Sequence, residues 1–137
     1  MTVTYFTENP QRVSSMMFNV CDMSEIFDLE YLVSQGKSFN IKVSCDIEDI
    51  YSQDYITLEI CSNTNYIPED SDNCDIYGRW EIDGAVVVES DISASELHNN
   101  WGFPSYLLIH FSNTPSSWGG SGDGWLISNF NVTITCN

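Results

Sequence analysis

The chain has 137 residues, 42% of them apolar, enough for one domain to bury a core without relying on disulfides. Its charge is the outlier: 20 acidic residues against 4 basic ones give −16. With only Arg12, Lys37, Lys42 and Arg79 as cations, no basic face can be assembled, which excludes nucleic acid and attraction to an anionic membrane as partners.

Residues 1–20 read as an extended N-terminal arm with a first strand or two, Thr2–Phe6 and Val13–Val20, broken at Asn9-Pro10. They lack a basic n-region and a continuous apolar stretch, so no signal peptide is expected, and no run approaches the length of a membrane span. Residues 21–137 read as a single domain. Asp22-Met-Ser-Glu25 has capping-box spacing, and Met23, Ile26, Phe27, Leu29, Leu32 and Val33 follow at helical intervals until Gly36. One short helix near residues 23–34, or a turn and strand, fits this pattern.

From Lys37 onward the pattern is β. Phe39, Ile41, Val43 and Cys45 alternate with Asn40, Lys42 and Ser44, and Ile56, Leu58 and Ile60 with Thr57 and Glu59. Asp83-Gly84 between two β runs predicts a hairpin in which Ile82, Ala85, Trp80 and Val87 share a face. Residues 91–104 read as a loop with a helical turn at Ser93–His98. Tyr106–Phe111 is apolar on both faces except at His110, as a central strand should be. The last run places Leu126, Phe130, Val132, Ile134 and Cys136 on a core face, and Trp125, Ile127, Asn129, Asn131 and Thr133 on a wet one. Together these elements predict an all-β protein: an antiparallel β-sandwich of the jelly-roll type.

The five cysteines, Cys21, Cys45, Cys61, Cys74 and Cys136, form no Cys-x-x-Cys, which argues against a zinc ribbon or a thioredoxin-like site. Cys45 and Cys136 fall on apolar faces and read as buried thiols. Cys61 and Cys74 are the pair whose disulfide would close an acid-rich loop.

The order of elements resembles that of jelly-roll carbohydrate-binding modules of the xylan- and cellulan-binding type, and of galactose-binding-like domains generally. Gly36-Lys-Ser-Phe-Asn-Ile-Lys-Val43 matches their Gly-Lys-aromatic strand start. Leu107–Phe111 and Gly124–Val132 match their late strand pair. The resemblance implies a binding scaffold. Ser128 stands where those domains commonly have Asp, a departure that bears on their structural calcium site.

Two constellations could carry chemistry. Glu69, Asp70, Asp72 and Asp75 gather carboxylates in one segment, and calcium takes six to eight hard oxygens. Asp75 stands where an EF-hand needs Gly, so that motif is rejected, and a non-EF calcium site is weighed against a solvated loop. Asp46, Glu48, Asp49 and Asp54 form a second such cluster. Among the aromatics, Trp80 and Trp125 read as packing residues. Trp101 and Trp118, with Asn99, Asn100 and Tyr66, are the candidate ligand contacts, since sugar faces stack on indole planes while amides bind hydroxyls.

Catalysis finds little support. His98 and His110 are the only imidazoles, His110 reads as structural, and no nucleophile elbow, zinc-binding helix or phosphate loop is present. The expectation is a non-catalytic protein at a virion or extracellular surface. Its partner is either a protein assembly (itself, or a capsid or tail lattice) or a surface glycan bound with calcium support.

Overall fold

A computed structural model describes residues 2–5, 15–48, 55–64, 74–101, 104–114 and 126–137. Eight strands and three short helices follow in chain order among these residues: β1 Thr2–Tyr5, β2 Ser15–Asp22, α1 Met23–Ile26, α2 Leu29–Ser34, β3 Ser38–Glu48, β4 Tyr55–Asn63, β5 Asp75–Ile82, β6 Gly84–Ser93, α3 Ala94–Trp101, β7 Tyr106–Thr114 and β8 Leu126–Cys136. The strands form two four-stranded antiparallel sheets, in the orders β1-β8-β3-β6 and β2-β7-β4-β5. This is the eight-stranded jelly roll, in which the chain passes between the two sheets at every connection except β4–β5.

Alternation decides what lies between the sheets. Phe39, Ile41, Val43, Cys45 and Ile47 on β3 are all buried, as are Ile56, Leu58 and Ile60 on β4. β7 lies between β2 and β4 and is buried on both faces, with Leu107, Ile109 and Phe111 inward and Leu108 outward, as its apolar run predicts. Phe18, Phe111 and Phe130 join the sheets at the centre, with ring centroids 4.6–6.0 Å apart. Trp80 packs half-buried against this core.

The strands expected within residues 1–20 are β1 and β2, one in each sheet: β1 pairs with β8, and β2 with β7. The helical pattern at 23–34 resolves into two turns of helix. Asp22 caps α1 by accepting from Ser24 N at 2.9 Å, and Asp28 caps α2 by accepting from Tyr31 N at 3.1 Å. Gly36 (φ 63°) ends α2 with paired bonds from Gly36 N to Val33 O and Lys37 N to Leu32 O.

Four expectations are corrected. Asp83-Gly84 is not a hairpin within one sheet but the corner at which the chain leaves β5 for β6 in the opposite sheet. Gly84 turns there at φ 67°, so Ala85 and Val87 face solvent while Ile82 and Val86 enter the core. Residues 94–101 form a full helix where a loop with a helical turn at Ser93–His98 was expected, giving three helices among the described residues where at most one was expected. Its start is a reciprocal capping box, Glu96 N to Ser93 Oγ (3.0 Å) and Ser93 N to Glu96 Oε2 (3.1 Å). On β8 the register against β3 slips between Ser44 and Asp46, and Asn129 takes φ 52°. This bulge reverses the alternation, so Ile127 is core and not wet. Cys136, expected to be buried, is exposed at the end of β8, opposite Phe39 of β3.

Candidate functional site

Two places on the sandwich gather polar side chains. The first is the outward face of the β2-β7-β4-β5 sheet. Glu59 on β4 lies directly opposite His110 on β7 and Arg79 on β5. His110 Nδ1 is 3.1 Å from Glu59 Oε1, and Arg79 donates through Nε (3.1 Å) and Nη2 (2.9 Å) to Glu59 Oε2. Glu59 and His110 are buried, while the Arg79 side chain is 62% exposed. Both carboxylate oxygens are therefore occupied, one by imidazole and one by guanidinium. A buried carboxylate held this way is a cross-strand clasp that joins β7, β4 and β5.

The second is an open groove of about 280 Å³ on the outward face of the other sheet, lined by Ser44, Asp46, Ala85, Val87, Asn129 and Asn131 among others. The β8 bulge shapes it. In its left-handed conformation Asn129 donates from Nδ2 to Asp46 Oδ2 at 2.7 Å, and Asn131 Nδ2 donates to the Asn129 carbonyl at 3.1 Å. Asn tolerates that backbone better than other residues with a Cβ. Val87, 65% exposed, stands on the edge strand beside the groove. Amide, carboxylate and hydroxyl groups next to small apolar side chains suit a polar ligand or a protein contact.

Of the candidate calcium ligands, only Asp75 lies among the described residues; it opens β5 opposite Ser62. Glu69, Asp70 and Asp72 lie outside them, as do Asp49 and Asp54 of the second acidic cluster. Among the described residues no group of three or more His, Cys, Asp or Glu is placed to hold a metal. Of the candidate ligand contacts, Asn99, Asn100 and Trp101 close α3, where a loop was expected; only their backbone is described. Trp118 and Tyr66 lie outside the described residues, and so does Trp125.

Sequence reading missed Glu59 and Arg79 as partners of His110, because opposition across strands depends on registers that a single sequence does not display. It also missed the groove, whose only local signal was an Asn able to adopt positive φ at the bulge.

No protein-family model matches the chain, and no curated protein matches its sequence. No helix among the described residues is long and apolar enough to cross a membrane.

Proposed function

We propose that this chain is a non-catalytic structural or adhesive protein on the exterior of an assembly, such as a virus or phage capsid decoration or a tail-associated protein. The reading rests on the strand order β1-β8-β3-β6 over β2-β7-β4-β5, an architecture shared by viral capsid domains and lectins. It gains support from the edge strand β6, which presents Ala85 and Val87 to solvent. Its partner is a second copy or a lattice of other subunits.

The second reading is a secreted carbohydrate-binding module with a calcium-supported loop. The groove favours it: Asp46, Asn129 and Asn131 offer the amide and carboxylate groups that bind sugar hydroxyls. The resemblance of residues 36–137 to carbohydrate-binding jelly rolls points the same way.

Size-exclusion chromatography with light scattering, in calcium and then in EDTA, separates the two. A defined oligomer in both solutions is the outcome expected for an assembly protein. A monomer whose thermal midpoint falls in EDTA, and which binds members of a glycan panel, would overturn that reading in favour of the second.

A further inference from the structure

Cys61 and Cys74 lie outside the main core and outside the groove. Cys61 is on β4, two positions beyond Glu59 and on the same outward face. The β4–β5 register pairs Cys61 with Ile76 and Ser62 with Asp75, so Cys74 falls diagonally from Cys61 on that face. The two side chains meet there. They pack into one small cluster with Met17 and Leu108. Their surroundings hold both sulfurs in place: Cys61 Sγ donates to the Leu108 carbonyl, and Asn63 Nδ2 donates to Cys74 Sγ, each at 3.6 Å. Cys61 is fully buried, whereas Cys74 is half-buried and reachable from solvent.

We propose that Cys61 and Cys74 form a redox pair that closes to an intramolecular disulfide when the protein meets a low-molecular-weight disulfide such as oxidised glutathione. Cys74 is the entry point. Its thiolate attacks one sulfur of the reagent, the reagent's S–S bond breaks, and one glutathione leaves as thiolate and takes up a proton. Cys61 then gives its proton to solvent and attacks Cys74 Sγ. The Cys61–Cys74 bond forms, the mixed bond breaks, and the second glutathione leaves. Two protein thiols are thereby oxidised by two electrons, and one glutathione disulfide is reduced to two thiols. Burial, and then the neighbouring Cys74 and Glu59, hold the Cys61 proton tightly, so the second step is the slower one. The proposal is independent of which functional reading holds.

The test uses the full chain carrying Cys136→Ser, which removes the exposed thiol able to link two molecules. The reduced protein is incubated with oxidised glutathione, quenched with acid at intervals, and followed by intact mass and peptide mapping. The expected course is a transient single adduct on Cys74, then a species two hydrogens lighter than the reduced protein in which Cys61 is linked to Cys74. Its unfolding midpoint should rise by roughly 5–10 °C, because the bond restricts the unfolded chain. In a further Cys61→Ser variant the adduct on Cys74 should persist. A bond joining any other pair, an adduct on Cys74 that never closes in the Cys61-containing protein, or two thiols that stay free would overturn the proposal.

Discussion

Glu59 and His110 face one another across the β4–β7 pairing, Oε1 to Nδ1 at 3.1 Å, with 8% and 7% of their surfaces exposed. Arg79 completes the clasp from β5 on the other carboxylate oxygen. Three of the four strands of this sheet are thus tied through one side chain. Glu59→Ala should therefore cost about 3 kcal/mol, since it leaves buried His110 without its carboxylate. Glu59→Gln, which keeps the shape, should cost less. Arg79→Ala should cost only about 1 kcal/mol, because its guanidinium is largely solvated. Urea unfolding of the three variants gives the order directly.

The bulge at Asn129 makes a separate prediction. Its φ of 52° favours Asn or Gly. Asn129→Gly should be close to neutral, the lost bond to Asp46 being offset by relief of the backbone. Asn129→Val should cost about 2 kcal/mol, since a β-branched side chain is strained there. Thermal unfolding of the pair checks this, and equal losses would show that the side-chain bond, not the backbone, governs the position.

Burial pushes the Cys45 thiol from its ordinary value of 9.0 up to about 12, with Asp46 adding to the rise; burial, then Asp22, takes Cys21 to about 11. A raised folded value means the unfolded chain gives up the proton first. Stability from these thiols is complete below pH 9 and is lost as pH climbs from 9 through the folded values. The unfolding free energy should therefore fall across pH 9–12, and less steeply in Cys45→Ala. An identical slope in the variant would contradict this assignment.

A net charge of −16 repels itself. Raising sodium chloride from about 20 mM to about 0.5 M shortens the screening length severalfold, so it should raise the thermal midpoint and strengthen any self-association. Differential scanning calorimetry across that range reads the first effect.

The inward faces of β3 and β4 and the double burial of β7 were legible because side-chain alternation is a local property. The helical turn expected at Ser93–His98 was equally local; it begins α3, which runs on to Trp101. Elements that depend on three dimensions were not legible. Asp83-Gly84 carries the same signal whether the chain returns along its own sheet or crosses to the other, and here it crosses. The Asn129 bulge inverts the alternation beyond it, which is why Ile127 faces inward despite its parity with Asn131. The Glu59–His110–Arg79 clasp joins three strands distant in sequence, and only their registers bring it together.

The most direct test of the assembly reading is sedimentation of the wild-type chain and of Val87→Lys over a wide range of protein concentration. Val87 is exposed on edge strand β6, so a lysine there should leave the fold and its thermal midpoint unchanged while blocking edge contact. The account predicts a defined wild-type oligomer that dissociates in the variant. A wild-type chain that stays monomeric at every concentration and salt, or an oligomer indifferent to the lysine, would contradict it.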